Sequence, residues 1–406
     1  MTEPLTIWYI SKYVVPPSVA RVGGRGFLIL REMVALGHRC ILFTSDSNHL
    51  ADPEPVEGTE RRETAQGVEV VWLRTLKYAG ARSLRRVLSW IDFERRLLRM
   101  PSPGLPDPDV VIVSSLSLLS VLNGIRLKRR FGCRLVFEVR DIWPLVLYEE
   151  GGFSPRNPLV RVLGWVERLG YRRTDVIVGT MPNLGEHVAE VLGHPVPVHC
   201  IPQGVDEALL AGPQPLPEGY AETYLPEGAF TVCHAGTIGV TNALDTLLAC
   251  ARLMRDEPGI RFVVVGDGYM KARYQKETAD LPNILFAPRV PRGAVQAVLA
   301  RCDLLYFAVH PSKVLRYGQS LNKVIDYMLS GRPVVASYSG YPSMIDEAGS
   351  GSYVPAEDAE ALRDEILRYA RMPAQERERM GRRGREWLLE NRRYPNLAER
   401  YLELIT

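Results

Sequence analysis

The chain has 406 residues, enough for two domains of about 100–200 residues each. Apolar residues make up 46% and charged residues 24%, which is typical of an ordinary soluble globular protein and excludes a disordered tail, a collagen and a disulfide-stapled module. Fifty basic residues against 47 acidic ones leave a net charge of +3, so the overall charge gives no argument for a nucleic-acid partner.

The cysteines and the N-terminus indicate a cytoplasmic protein. Six cysteines lie in apolar segments without a CxxC pair, as expected for buried thiols in a reducing compartment. Met1–Ile10 has no basic segment and no cleavage site, so no signal peptide is predicted. The longest apolar stretch, Val110–Ile125, is interrupted by serines and falls short of a ~20-residue membrane span. Any membrane contact is therefore expected at the membrane surface and not across it.

Short β-branched runs alternate with helical patterns in the first half of the chain. The runs are continuously apolar, as expected for parallel strands that helices cover on both faces. A helix is predicted over Gly26–Leu36, and strands are predicted over Thr6–Ile10, Cys40–Thr44, Val68–Leu73, Val110–Val113, Leu135–Val139 and Val176–Val178.

A stretch rich in proline, glycine and glutamate follows, after which the same alternation restarts at Phe230. Strands are predicted over Phe230–His234, Phe262–Val265, Ile284–Phe286, Leu304–Phe307 and Val334–Ala336. Helices are predicted over Asn242–Arg255, Gly293–Ala300, Asn322–Leu329, Glu357–Tyr369 and Ala374–Glu390.

The pattern predicts an α/β protein with two Rossmann-like domains that face each other across a cleft. The first domain is expected over residues 1–205, a linker over 206–228 and the second domain over 229–386. Residues 387–406 are expected to form a helical segment, kinked at Pro395, that packs back on the first domain.

Three glycine-rich turns follow predicted strands, at Val22–Gly26, Gly236–Gly239 and Gly266–Gly268. Glycine lets the backbone approach a ligand closely, and open α/β sheets bind ligands at the carboxyl ends of their strands. The alternative is that these are tight turns needed only for packing. Two such turns in the second domain favour a binding site there.

The strongest signal is R-Y-G-Q-S-L-N-K-V-I-D-Y-M, over Arg316–Met328. Ser320 and Asn322 are good N-cap residues for the helix expected to begin there. A diphosphate can bind at such an N-terminus, with Lys323 as its counter-charge. Asp326 lies one turn further and can accept two hydroxyl hydrogen bonds, as a ribose offers. The alternative is an ordinary surface pair of Lys323 and Asp326.

The segment Tyr317–Met328, followed by G-R-P-V at Gly331, resembles the nucleotide-sugar motif of glycosyltransferase family four. It is most similar to the O-antigen and capsule branch that includes the L-fucosamine transferase. Similar segments recur along nearly the whole chain, at Glu138–Pro144, Ile201–Asp206 and Gly236–Leu248. The resemblance implies a GT-B fold and a retaining, metal-independent transfer from an NDP-sugar, expected to be a UDP-sugar, without a cofactor.

The resemblance also implies roles for single residues. Asp326 would bind the ribose, Arg289 and Val290 would flank the base, and Gly24 of the first domain would close over the phosphates. The implied donor-binding residues are Gly24, Gly236, Thr237, Gly266, Arg289, Val290, Arg316, Ser320, Leu321, Asn322 and Asp326. The implied catalytic residues are Arg140, Asp141 and Lys323.

The chain departs from the family pattern at three places. The family's two glutamates, eight residues apart, correspond to Gly318 and Asp326, and its basic pair after the phosphate loop falls near the neutral Thr237 and Asn242. The family's histidine before an aspartate is Arg140 here, followed by Asp141. A diphosphate leaving group still requires positive charge. The candidates to supply it are Lys323, Arg316, Arg289, Arg25 and Arg140.

The segment Val71–Met100 carries eight cations and two acidic residues, a net charge of +6. A basic amphipathic segment with aromatic residues can lie on an anionic membrane, and Leu88, Trp90 and Phe93 are the expected inserting residues. The alternative is a solvated helix that covers the sheet.

The predicted function is transfer of a sugar from an NDP-sugar to a lipid-linked or soluble glycan acceptor in surface polysaccharide biosynthesis. The lipid would be a polyprenyl diphosphate at the inner membrane face. Two alternatives stay open: a GT-B-fold sugar-nucleotide epimerase and a non-catalytic sugar-nucleotide or glycan-binding protein. No metal site is predicted, and Asp107-Pro-Asp109 is interpreted as a turn before a strand.

Overall fold

The computed structural model describes residues 3–20, 24–78, 84–99, 104–225 and 227–406, which form two compact units. The first unit contains the chain up to Gly204 together with Tyr394–Thr406, and the second contains Val205–Arg393. Each unit is built around a largely parallel sheet covered by helices, which confirms the predicted α/β class.

The sheet of the first unit has eight strands in the order β3-β4-β2-β1-β5-β6-β7-β8. All neighbouring strands pair in parallel except β3 and β4. The strands are β1 (Thr6–Ile10), β2 (Arg39–Ser45), β3 (Glu60–Ala65), β4 (Val68–Leu73), β5 (Val110–Ser114), β6 (Arg134–Val139), β7 (Val176–Gly179) and β8 (His199–Cys200).

The sheet of the second unit has six parallel strands in the order β11-β10-β9-β12-β13-β14. The strands are β9 (Phe230–Ala235), β10 (Ile260–Val265), β11 (Ile284–Ala287), β12 (Leu304–Ala308), β13 (Val334–Ser337) and β14 (Gly351–Val354). Because β9 is central, the turn at Gly236 that follows it lies in the middle of the carboxyl edge of the sheet.

Helices cover both sheets. Those of the first unit are α1 (Arg25–Ala35), α2 (Leu84–Arg99), α3 (Ser120–Phe131), α4 (Leu145–Glu149), α5 (Pro158–Arg173) and α6 (Leu184–Leu192). Those of the second unit are α7 (Tyr220–Tyr224), α8 (Asp245–Leu253), α9 (Lys271–Glu277), α10 (Val295–Leu299), α11 (Asn322–Leu329), α12 (Met344–Glu347), α13 (Ala359–Arg371) and α14 (Ala374–Asn391). The last helix, α15 (Tyr394–Ile405), belongs to the first unit.

The segment expected to be an exposed linker is part of the second unit. Tyr220 and Leu225 are buried in the core of that unit, and the hydroxyl of Tyr220 donates to the carbonyl oxygen of Pro288 at 2.7 Å. Prolines and glycines here shape a packed irregular segment, which corrects the expectation of a free linker over 206–228. Pro226 lies outside the described residues.

The boundary between the second unit and the C-terminal segment lies later in the chain than expected. Leu388 packs in the core of the second unit, so the boundary lies after Arg393 and not at residue 386. Pro395 is the second residue of α15, where a proline is tolerated because first-turn amides have no intrahelical acceptor. Tyr401 and Ile405 of this helix are buried in the same core as Phe27 of α1.

Candidate active site

Two glycine turns at the carboxyl edge of the second sheet pack directly against each other. The amide of Gly236 donates to the carbonyl oxygen of Val265 at 2.9 Å. A Cβ atom on Gly266, whose φ is 144°, would lie 1.9 Å from the carbonyl oxygen of Gly236. A larger residue is excluded at position 266, so the two turns form one bare backbone surface beside the end of β9.

Lys323 lies beside this surface. Its Nζ donates to Oδ1 of Asn242, and Nδ2 of Asn242 donates to the carbonyl oxygen of Thr237 at 2.7 Å. A Cβ atom on Gly236 would lie 3.9 Å from Nζ of Lys323. Four residues predicted as part of the site therefore lie together in the structure: Gly236, Thr237, Gly266 and Lys323. The neutral side-chain amide of Asn242 holds the ammonium group of Lys323. Burial lowers the pKa of Lys323 to about 8.

The N-terminus of α11 differs from the expectation. Leu321 occupies the N-cap position with an extended backbone and makes no side-chain cap, so the prediction of Ser320 or Asn322 as the capping residue was wrong. The first-turn amides therefore have no cap from that position. The positive end of the helix dipole and Lys323 lie together, an arrangement that attracts anions.

Asp326 is buried one turn further along α11 and is paired with Arg292. Two nitrogens of the guanidinium donate to its two carboxylate oxygens at 2.6 Å each. Burial raises the pKa of Asp326, and the Arg292 charge opposes that rise. The alternative of a simple surface pair with Lys323 is not found, because Lys323 and Asp326 have different partners. Arg292 was not among the predicted site residues.

Tyr327 fixes α11 to the central strand. Its hydroxyl accepts a hydrogen bond from the amide of Ala235 at 2.8 Å and lies 3.0 Å from the carbonyl oxygen of the same residue. Ala235 directly precedes Gly236, so Tyr327 sets the position of the turn relative to Lys323. Nearby His234 is fully buried, and burial together with the Lys323 charge lowers its pKa to about 3, so this imidazole is neutral.

The remaining predicted donor residues of this unit lie on two loops. Arg289 is exposed after β11, and Val290 packs against the core of the unit. Arg316 is exposed, with its guanidinium 5.2 Å from the ring centroid of Tyr317. Gly318, at the position of the family's first glutamate, has a φ of 92° that favours glycine.

Comparison with known proteins identifies both units. The second matches the family described as "Glycosyl transferases group 1" over residues 229–371. The first matches the "Glycosyl transferase 4-like domain" over residues 28–204. The chain belongs to the GT-B glycosyltransferases.

Individual relatives agree with this assignment. The D-inositol 3-phosphate glycosyltransferase of Segniliparus rotundus is 27% identical over 287 residues, which cover 67% of this chain and 61% of that protein, less than two thirds of its length. The sucrose-phosphate synthase of Thermosynechococcus elongatus has a TM-score of 0.70 at 18% identity over 98% of both chains. Anabaena HepE in complex with UDP-glucose has a TM-score of 0.63 at 14% identity, also over 98% of both chains. These likenesses confirm the predicted GT-B fold.

Arg140 and Asp141 of this glycosyltransferase follow β6 in the first unit. Ser115 holds their backbone, since its hydroxyl accepts from the amide of Arg140 at 2.9 Å and lies 3.0 Å from the carbonyl oxygen of Asp141. Asp141 is exposed and Arg140 half-buried. Gly24 is the N-cap residue of α1, whereas Val22 and Gly23 of the same turn lie outside the described residues.

Arg25 is not available to a diphosphate. Its side chain is fully buried, with Nη1 donating to Glu138 at 2.7 Å and Nε donating to the carbonyl oxygen of Pro202 at 3.0 Å. The hydroxyl of Tyr9 donates to the other oxygen of Glu138 at 2.5 Å. Burial alone would raise the pKa of Glu138, but the charges of Arg25 and Arg140 hold it below its ordinary value. Arg25 is therefore a structural cation of the first unit.

The basic segment 71–100 is only in part the surface that was expected. Trp90 and Phe93 are buried, so they cannot enter a membrane interface, whereas Leu88 is 54% exposed. Residues 79–83 and Met100, and with them Arg82, lie outside the described residues. In the part of the chain that the structure describes, no helix is both long and apolar enough to cross a bilayer.

The Asp107-Pro-Asp109 turn has a structural partner. Oδ2 of Asp109 accepts from the amide of Thr6 at 2.7 Å, which ties the start of β5 to that of β1. Among the described residues, no group of three or more histidine, cysteine or acidic side chains is arranged to hold a metal ion.

Proposed function

We propose that this glycosyltransferase moves a sugar from a UDP-sugar to a glycan acceptor with retention of configuration and without a metal. One observation carries the proposal: Lys323 lies in the first turn of α11, beside the bare Gly236 turn, and is held by a neutral amide. That site offers a diphosphate a cation, a helix dipole and a close backbone approach. The solved HepE complex with UDP-glucose supports a uridine nucleotide.

The chemistry follows from the charge that develops on the leaving group. As the bond between the anomeric carbon and the β-phosphate oxygen breaks, negative charge builds on that oxygen, and Lys323 and the amides of α11 stabilise it. The acceptor hydroxyl then bonds to the anomeric carbon from the same face. Its proton passes to the departing phosphate, so no separate base from the protein is required. Arg140 and Asp141 are proposed to act at the acceptor side.

The acceptor is proposed to be a polyprenyl-diphosphate-linked glycan at the inner membrane face, in the biosynthesis of an O-antigen or capsule. The resemblance of Tyr317–Met328 to that branch supports this choice. Addition of a lipid-linked acceptor should convert slow donor hydrolysis into transfer, and a soluble glycan that serves equally well would contradict the lipid-linked assignment.

Incubation of the chain with UDP-sugars tests the reaction class. A transferase should slowly release UDP and free sugar without an acceptor, and EDTA should not change the rate. Interconversion of the sugar without release of UDP would identify an epimerase. Tight UDP binding with neither product would identify a binding protein.

Asp326→Ala is expected to weaken UDP binding by about 1–3 kcal/mol, because a ribose hydroxyl would lose a buried acceptor. Titration calorimetry with UDP and 2′-deoxy-UDP checks this: the wild type should prefer UDP, and the variant should bind both equally. Arg292→Ala is the control, since it keeps the carboxylate and should keep the preference. A variant at position 326 that still prefers UDP would contradict the ribose assignment.

A further inference from the structure

Helices α2, α3 and α5 form one continuous layer on the first unit. Nδ2 of Asn123 in α3 donates to the buried carboxylate of Glu94 in α2 at 2.6 Å. On the other side of α3, a Cβ atom on Gly170 of α5 would lie 3.1 Å from the side chain of Val121. Side chains of α3 and α5 also line a shared surface cavity of about 300 Å³. We name the outer side of this layer the three-helix face.

The three-helix face exposes an unusual amount of apolar surface. Its helices make up about a tenth of the chain, yet they carry seven of the fourteen large apolar side chains that are exposed among the described residues. Trp165 is 61% exposed and Val162, one turn before it, is 56% exposed. The seven are Leu88, Ile91, Leu98, Leu122, Leu159, Val162 and Trp165. A concentration of exposed apolar side chains on neighbouring helices is what an interaction surface would show.

The charge of the same face has one sign. Its three acidic residues are withdrawn from solvent: Glu94 and Glu167 are buried, and Asp92 is paired with Arg96. Ten arginines are exposed on these helices, at positions 85, 95, 99, 126, 129, 130, 161, 168, 172 and 173. A chain with a net charge of only +3 therefore concentrates positive charge on one layer.

We propose that the three-helix face binds the surface of an anionic lipid bilayer, with Trp165 and the exposed aliphatic residues in the headgroup region and the arginines on lipid phosphates. Amphipathic helices with a basic polar face and an exposed tryptophan suit this interface. A second copy of the chain is a poor occupant, because two such faces would bring like charges together. The proposal deepens the proposed function and rests on its lipid-linked acceptor for its biological purpose, since it names the surface by which the chain would reach a membrane. Its physical argument uses the exposed residues of these helices and no property of the donor site.

The test is co-sedimentation of the full chain with vesicles of phosphatidylcholine and phosphatidylglycerol in a 7:3 ratio. The wild type should bind these vesicles, should bind pure phosphatidylcholine far more weakly, and should be released as salt rises well above ~0.15 M, where the Debye length is about 8 Å. The triple variant Arg161→Glu, Arg168→Glu and Arg172→Glu should lose at least ~100-fold in partitioning, since each surface cation contributes about fivefold.

The matched control is Arg371→Glu, Arg379→Glu and Arg382→Glu, which makes the same change in net charge at three exposed arginines of α13 and α14. It should keep most of the vesicle binding. Trp165→Ser keeps the charge and should cost about tenfold through lost insertion. Melting curves of all variants must match the wild type, and their affinity for UDP should be unchanged.

Equal loss in both triple variants would overturn the proposal, because net charge and not the face would then decide binding. Binding to pure phosphatidylcholine as strong as to the mixed vesicles would also overturn it. A self-associating wild type that becomes monomeric in the first triple variant would assign the face to a second copy instead. Absence of donor hydrolysis would contradict the proposed function and leave the vesicle result standing.

Discussion

Replacing Lys323 by alanine is expected to lower the rate of sugar transfer by about 10²–10³-fold, with little effect on the affinity for uridine. The ammonium lies where the diphosphate would gain charge during departure, and a donor aimed at developing charge contributes mainly in the transition state. The hydrogen-bond partner of Lys323 is the neutral side chain of Asn242, so this contact does not neutralise the positive charge of the ammonium group.

The measurement is kcat and kcat/KM at saturating acceptor, with Lys276→Ala as a control at an exposed lysine of α9 that should behave like the wild type. The pKa of Lys323 is lowered to about 8, so its cationic form predominates below that pH. The wild-type kcat/KM should therefore fall as pH rises through about 8, and the alanine variant should lack this decline. A variant that keeps both the rate and the decline would remove Lys323 from the mechanism.

Arg25→Met is expected to destabilise the first unit by about 3–5 kcal/mol, because it leaves the carboxylate of Glu138 buried without its cation. The second unit should unfold as before. The double variant Arg25→Met and Glu138→Gln should recover part of the loss, since it removes the uncompensated charge.

Urea unfolding of the full chain, followed by circular dichroism, checks this result. Arg39→Met is the matched control in the same unit. The side chains of Arg39 and its ion-pair partner Glu69 are 51% and 32% exposed. Because the pair is exposed, this variant should lose less than about 1 kcal/mol of unfolding free energy. Equal losses for the two single variants would show that the buried network adds no stability beyond a surface pair.

The fold was predictable because most of its strands are buried on both faces. A continuous apolar run such as that of β5, Val110–Ser114, can be recognised as a buried strand from the sequence alone. The antiparallel edge strand β3 (Glu60–Ala65) has the sequence E-R-R-E-T-A, which carries no apolar signal. The helix predicted from Asn242 begins only at Asp245, because Ala243 adopts a left-handed backbone with φ 43°.

The donor site was predictable as a region but not as a set of contacts. Sequence spacing marked Lys323 and Asp326, since both lie on the first turns of one helix. It could not reveal that Asp326 pairs with Arg292, because the two residues are 34 positions apart on different elements. The sequence also could not show which side chains are buried. Arg25 was a candidate phosphate ligand from its position in the glycine-rich turn, but its side chain is completely buried.

Because α15 belongs to the first unit, the two units can complete their folding only in a fixed order during synthesis. The second unit, Val205–Arg393, is continuous in sequence and can fold as soon as it leaves the ribosome. The first unit lacks Leu397, Tyr401 and Ile405 of its core until α15 emerges. The unit that is translated first is therefore completed last, and its apolar surface for α15 stays uncovered while residues 205–393 are made. A stop codon after Arg393 would therefore leave the first unit without part of its core, whereas the second unit, Val205–Arg393, would be complete.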